Sequence, residues 1–215
     1  MQNQGFIIAL EGLPYLLIGI LISLLLAYFH FTFLTVMVAI LTIFVAFFFR
    51  NPSRTIPQQE GLILSPADGR ICMIIDTYEG KFLKEKRKRV SIFMSPFNCH
   101  INRAPVSAKV IDTHYNPGKF HLASVDKASE LNEQNALLLE DSHRQNRFVV
   151  VQIAGWLCRR IVSDVKVGST LLRGQRFGLI QFGSRVDIYL PNHIALKVKL
   201  GDQVKGGETI LGEFL

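Results

Sequence analysis

"VKVGSTLLRGQRFGLIQFGSRVDIYLP", residues 165–191, alternates short apolar runs with glycines and small polar residues, the pattern of strands joined by tight turns. Its first half returns downstream. VKVGSTLLRGQRF (165–177) aligns without a gap with VKLGDQVKGGETI (198–210), at an offset of 33. The shared frame V-K-[VL]-G-x-x-[LV]-x-x-G-x-x-[FI] repeats glycine at turn positions and apolar residues at strand positions, which predicts two similar hairpin units. The quoted stretch also holds two Gly-Ser pairs. Ser169 of the first stands where the other copy has Asp202, and both residue types serve a turn through local hydrogen bonds. Gly183-Ser184 lies outside the repeated block, so the repeat gives no account of it.

Working outward, LIL, RICMIID, RVSIFM, KVIDTHY, RFVVVQIAG, RRIVSDV, RFGLIQF, RVDIYLP and ALKVKL follow one another between Gly, Pro, Asn and Asp. Turn signals at this spacing predict a mostly β domain, a sandwich or barrel-like fold, over residues 62–215. KASELNEQNALLLE (127–140) is the one stretch read as able to hold a helical turn. The repeated hairpins resemble the swapped-hammerhead units of biotinyl and lipoyl carrier folds.

The N-terminal end is different in kind. Residues 1–49 contain no Lys or Arg and one acid, Glu11. Apolar runs cover Phe6 to Phe29 and Phe31 to Phe49, and about 20 such residues cross a bilayer as a helix. The expectation is a two-helix membrane hairpin turning near His30, with Glu11 at headgroup level, followed by a polar linker at 50–61. A basic start and a small-residue cleavage site, the marks of a signal peptide, are lacking. Arg50 and Arg54 follow the second run, so the positive-inside bias places the remaining domain on the cytoplasmic face of the cell membrane.

Residues 50–215 carry all 24 Lys and Arg and 16 of the 17 Asp and Glu, a net of +8. A basic domain beside a membrane anchor suits an anionic lipid surface. Nucleic acid is not expected, because basic and aromatic residues are not interleaved. Cys72, Cys99 and Cys158 are scattered without a C-x-x-C, which argues against a disulfide framework or a thiolate metal site. His114, His121 and His143 lack helical metal spacing, so no metal is expected. KFLKEKRKR (81–89) reads either as a solvated hairpin tip or as a clamp on anionic headgroups, each basic residue near the surface then worth ~1 kcal/mol.

Six blocks in order carry a resemblance: FFRNPSR (48–54), SPADGRI (65–71), FMSPFNCHINRAP (93–105), YNPGKFHLASVDKASELNEQN (115–135), QIAGWLCRRI (152–161) and GQRFGLIQFGSRVDIYLP (174–191). Together they resemble the short, pyruvoyl-dependent form of phosphatidylserine decarboxylase. The resemblance implies a carboxy-lyase made as a zymogen that cuts itself between Gly183 and Ser184. The pieces 1–183 and 184–215 would stay associated, and a homo-oligomer is compatible with it. Ser184 Oγ would attack the Gly183 carbonyl, and elimination would leave a pyruvoyl cofactor in place of Ser184. Its ketone would form a Schiff base with the substrate amine and take up the electrons left by CO2. Glycine before the serine leaves the attacked carbonyl sterically open.

A base is needed near Ser184. By resemblance Asp68 in SPADG and His100 in NCHINRAP are the candidates, and which serves which step stays open. For Asp68 the plainer reading is an Asx turn before Gly69; for His100 it is a structural histidine. Arg103 and His121 are candidate substrate-binding residues. Larger members of the family have H-x-x-H where this chain has HINR, so Arg103 replaces the second histidine. Arginine is no base near neutral pH but can hold a carboxylate or phosphate. The family's N-E-R-N reads NEQN, with Gln134 in place of the arginine beside Glu133. The implied reaction is phosphatidylserine to phosphatidylethanolamine and CO2. Two alternatives are a pyruvoyl decarboxylase of another amino-acid headgroup or amino acid, and a non-enzymatic membrane adaptor with lipoyl-like hairpins.

Overall fold

The computed structural model describes residues 6–118, 132–155, 160–181 and 184–215. Its contacts divide the chain at Ser53/Arg54, within the segment read as a linker. In the N-terminal unit a 3-10 turn, Leu10–Gly12, leads into α1 (Leu13–Tyr28), and α2 (Thr32–Phe48) returns beside it. His30 makes the bend with φ 59°, while its N–H bonds the Ala27 carbonyl at 3.0 Å. Gly19 leaves room for Thr42 on the facing helix, and Tyr15 stacks on Phe49 at 5.7 Å. No residue of α1 is fully buried; Leu16, Gly19, Ser23 and Leu26 are half-buried and the rest of its apolar side chains are exposed. Leu10–Tyr28 is long and apolar enough to cross a membrane; Thr32–Phe48, at 17 residues, is shorter than the 19 expected.

The second unit is mostly β. In chain order the strands are β1 (Leu62–Leu64), β2 (Gly69–Glu79), β3 (Glu85–Met94), β4 (Ile101–Arg103), β5 (Ala108–Asn116), β6 (Gln134–Asp141), β7 (Arg147–Ala154), β8 (Ile161–Ser163), β9 (Thr170–Leu171), β10 (Arg176–Ile180), β11 (Ser184–Leu190), β12 (Ile194–Leu196), β13 (Gln203–Val204) and β14 (Ile210–Phe214). Eight form one antiparallel sheet in the order β13-β2-β3-β11-β7-β6-β5-β9; β1-β14-β12 and β4-β10-β8 form two small ones. Strands from both ends of the large sheet meet in one core. Val204 of β13 and Leu171 of β9 join Ile92, Leu137, Val150 and Val186. That shared core requires the sheet to curl, since a flat one would hold its outer strands apart. Each fully buried Val, Leu, Ile or Phe contributes ~1.5–3 kcal/mol.

The 33-residue repeat is repeated in the backbone. Gly168 and Gly201 have φ 88° and 93°, Gly174 and Gly207 have 76° and 79°. Lys166 N–H donates to Ser169 Oγ as Lys199 N–H donates to Asp202 Oδ2. Ser169 and Asp202 then offer their carbonyls to Val110 of β5 and Ile71 of β2. Those two strands are irregular at the next step in each case, between Ile71 and Met73 and between Val110 and Asp112. Gly168-Ser169 is therefore a turn with a structural double.

KASELNEQNALLLE is corrected from Gln134 onward. That part is β6, paired with β5 and β7. Its leucines form helices well in isolation, but flanking strands on both sides override local preference. ALKVKL yields only the short β12.

Candidate active site

Ser184 is the first residue of β11 and has no exposure. Its backbone lies opposite Met94 of β3 and Ala154 of β7, so neighbours flank it on both sides. Alternation along β11 sends Ser184, Val186, Ile188 and Leu190 to one face, and the three apolar residues join the main core. The Ser184 hydroxyl donates to Met94 Sδ at 3.4 Å. A thioether is a weak acceptor, so the bond orients the oxygen while holding its proton loosely. Gly183 lies outside the described residues, as do His121, Trp156 and Cys158.

His100 sits just before β4 and is 2% exposed. The preceding turn is shaped by Asn98, whose Oδ1 accepts from the Ser95 N–H and hydroxyl. Asn98 then turns its carbonyl oxygen to within 3.0 Å of His100 Nδ1. A carbonyl only accepts, so Nδ1 carries the proton and Nε2 is the basic nitrogen of the neutral ring. The His100 carbonyl accepts from Ile180 at the end of β10, four residues before Ser184.

Asp68 makes no Asx turn with Gly69. Its carboxylate takes Arg54 Nη2 on both oxygens, at 3.0 and 2.8 Å, and the Gly206 N–H on Oδ1 at 2.7 Å. Arg54 also lies 3.8 Å from Glu208. Burial acts to lower the Arg54 pKa, but Asp68 and the weaker charges around it outweigh this and hold it above the ordinary value. Arg103 is close by. Its N–H bonds the Pro66 carbonyl at 2.8 Å and its Nη1 the Gly174 carbonyl at 3.1 Å. Burial first, then the Arg54 charge, press the Arg103 pKa below the usual arginine value. The SPADG turn, the HINR strand and the second repeat turn thus build one basic cluster, with Asp68 among its counter-charges.

Glu133 of the NEQN block accepts from the Tyr115 hydroxyl at 2.9 Å and the Ile161 N–H at 3.2 Å. Gln134, in the arginine's place, accepts from Lys81 at 2.9 Å. The basic hairpin 81–89 is largely occupied with such internal partners. Arg87 bonds Glu85, Lys88 bonds Asp76, and Arg89 lies 3.9 Å from buried Asp187. Lys84 and Lys86 are exposed, as is Lys81, whose hydrogen-bond partner is the Gln134 amide rather than a carboxylate. A separate cavity of about 220 Å³, bordered by Arg144, Arg173, Asp141 and His143, includes none of Ser184, His100 and Asp68. No cluster of metal-ligating side chains occurs among the described residues.

The model of the phosphatidylserine decarboxylase family matches residues 41–212. The chain belongs to this family. It is 47% identical over 212 residues to the phosphatidylserine decarboxylase proenzyme of Geotalea uraniireducens (strain Rf4), with 99% of each chain covered. It is 45% identical to that of Syntrophotalea carbinolica (strain DSM 2380 / NBRC 103641 / GraBd1) over the same shares. With that of Syntrophus aciditrophicus (strain SB) it shares 42% over 215 residues and the whole of both chains. This decarboxylase is thus a carboxy-lyase whose relatives are named as proenzymes.

Sequence reasoning missed a group of buried amides near Ser184. Asn102, Asn135 and Gln152 are buried and bonded to one another beneath Ser184. Their signal was present: a Gln inside RFVVVQIAG and an Asn inside HINR are polar residues in strands otherwise built for burial. Arg185, Asp187 and Arg89 form a second buried polar group, on the other face of the sheet from Ser184.

Proposed function

We propose that the enzyme decarboxylates phosphatidylserine to phosphatidylethanolamine and CO2 at the cytoplasmic face of the cell membrane, with a pyruvoyl group made from Ser184 as cofactor. The observation that carries this reading is Ser184 itself. It follows Gly183 in a decarboxylase-family chain, is wholly buried, and bonds its hydroxyl to a thioether. Bulk solvent does not reach such a serine.

The step balances within the chain. Ser184 Oγ bonds to the Gly183 carbonyl carbon and gives its proton to a base; the C–N bond breaks and the nitrogen takes a proton, leaving an ester. Removal of the Ser184 α-proton expels the Gly183 carboxylate by cleavage of Cβ–Oγ. Water then displaces ammonia from the dehydroalanine, and the ketone forms. Once formed, the pyruvoyl group supplies a sink for the electron pair released as CO2 departs. His100 is the better candidate base of the two, because its Nε2 is the lone-pair nitrogen, whereas Asp68 already holds Arg54 and Gly206. Asp68 then acts as a positioning residue, fixing Arg54 beside Arg103. Arg103 is the candidate for an anionic group of the substrate.

The helical hairpin supports membrane association, and Arg50 and Arg54 after α2 support the cytoplasmic side. The deciding experiment is Ser184→Ala, analysed by intact mass and by CO2 release from phosphatidylserine vesicles. The wild-type chain is expected as two fragments with a blocked 184–215 piece, and the variant as one inactive chain. Cleavage at 183/184 in the variant would overturn the mechanism; wild-type release from a different amino-acid headgroup and none from phosphatidylserine would overturn the substrate.

A further inference from the structure

We propose that Asn102 is the hydrogen-bond donor that stabilises the oxyanion formed when Ser184 attacks the Gly183 carbonyl, and that Gln152 and Asn135 hold it in the donating orientation. This rests on the self-cleavage reading above and extends it to residues that the six sequence blocks left without a role.

The geometry begins at Met94. Its sulfur receives the Ser184 hydroxyl at 3.4 Å and the Asn102 amide nitrogen at 3.8 Å, so both donors converge on one atom. A thioether can only accept. Asn102 must therefore turn its NH2 toward the sulfur and its Oδ1 away, where it accepts from Gln152 Nε2 at 2.8 Å. Gln152 then presents Oε1 to Asn135, whose Nδ2 donates at 2.8 Å. One sulfur thus fixes the direction of three amides on three strands, β4, β7 and β6, and the chain of donors ends on the atom that the Ser184 hydroxyl also meets.

These side chains are costly to keep where they are. Asn102 and Gln152 have no exposure and Asn135 has 6%. Gln152 stands opposite Asn135 in register, on the face that carries Val150, Phe148, Leu137 and Leu139 into the main core. Apolar residues of similar shape would serve that core as well or better, since a buried amide trio gains little net stability over an apolar replacement. A directed donor next to the reacting hydroxyl gives them a use.

The weak acceptor completes the device. Hydrogen bonds to sulfur are poor, so Asn102 loses little by transferring its N–H to a full negative charge. As Oγ bonds to the Gly183 carbon, the carbonyl π pair moves onto its oxygen and the hydroxyl proton goes to the base. The Asn102 N–H donates to that oxygen until the C–N bond breaks. Removing one such donor from an oxyanion site typically slows a reaction ~10²–10³-fold.

The test follows the appearance of the 184–215 fragment after synthesis of the full chain, by denaturing gel and intact mass. Ser184→Ala is the control. Asn102→Leu keeps the volume and removes the donor, and cleavage is expected to slow by about 10²-fold or more. Because Asn102→Leu can also disturb folding, position 135 supplies an independent reading. In Asn135→Asp an ionised carboxylate can only accept, so Gln152 and then Asn102 must reverse, presenting an oxygen to Ser184. The protonated acid can donate and restores the original direction. The cleavage rate of Asn135→Asp relative to wild type is therefore expected to fall as pH rises from about 5 to about 9, whereas that of Asn135→Leu stays flat. Dividing by the wild-type rate cancels pH effects that the two proteins share. Wild-type cleavage in Asn102→Leu, or a flat relative profile for Asn135→Asp, overturns the proposal while Ser184→Ala stays uncut. Cleavage in Ser184→Ala would instead overturn the reading beneath it.

Discussion

Directly after Ser184, on the opposite face of β11, stands Arg185, the largest side chain with no exposure. Its Nη2 donates to Asp187 Oδ2 at 3.1 Å, and its Nε lies 2.9 Å from Oδ1 at ion-pair distance. Arg89 on β3 is 3.9 Å from the same carboxylate. Two buried guanidinium groups therefore share Asp187. Asp187→Ala removes that carboxylate from both, and breaking a buried pair this way costs about 3–5 kcal/mol. The expected result is a lower urea midpoint with an unchanged slope; a midpoint equal to wild type would mean the arginines are held by other groups. Tyr189, two residues on, titrates in the same environment. Burial chiefly, with the Asp187 charge adding to it, raises its pKa above the tyrosine norm, against the opposing pull of Arg89. A raised folded pKa gives stability that is complete below the unfolded value and is lost as pH climbs through the folded one. Stability is thus expected to fall above about pH 10, and Tyr189→Phe to flatten that part of the curve in denaturant titrations.

At the scale of elements, the repeated hairpins separate two costs that glycine avoids. Gly168 has φ 88° and nothing within 4 Å of where a Cβ would lie, so Gly168→Ala carries backbone strain alone, ~1–2 kcal/mol. Gly174 has φ 76°, and its Cβ would also collide with the Ile56 side chain, so Gly174→Ala is expected to cost more. Equal melting temperatures for the two variants would show that Ile56 yields without cost. These turns were legible in the sequence because positive φ selects glycine and because the frame occurs twice. The helical hairpin was legible because apolar residues all round a helix need no partner pattern. Ser184 and His100 were singled out through the family blocks, and the fold buries both. The bond between Asp68 and the Gly206 N–H was not, since 138 residues separate them and no local rule joins them. Nor was β6, whose leucines favour a helix until β5 and β7 close on either side. The amide chain below Ser184 was hidden for a related reason: each member is one polar residue in its own strand, and only the sheet register brings Asn135 opposite Gln152.

The largest-scale consequence concerns the two products of the proposed cleavage. A cut at 183/184 leaves residues 184–215 as a peptide of four short strands, β11 to β14. Three of them are bound to strands of the larger piece. β11 runs between β3 and β7 from Ser184 onward, β13 pairs with β2 at Gly69 and Arg70, and β14 pairs with β1. Val186, Ile188, Leu190, Val204 and Leu211 enter the same core as Ile92, Leu137 and Val150. At ~1.5–3 kcal/mol for each large aliphatic side chain withdrawn from water, these contacts alone exceed what holds many separate subunits together. Loss of the peptide would also expose the inner strands β3 and β7 as new sheet edges, each with unpaired backbone groups. The fragments are therefore expected to co-elute in size exclusion in detergent after full cleavage and to separate only in denaturant. Carbonate washing should leave both in the membrane pellet, although only the larger carries α1 and α2. Release of 184–215 into the wash, with 1–183 retained, would show that β11 does not survive the cut as an inner strand. The position of the pyruvoyl end beside Met94 would then have to be sought elsewhere. Co-retention would instead mean that residue 184 stays anchored in the sheet of a fragment to which it is no longer covalently joined.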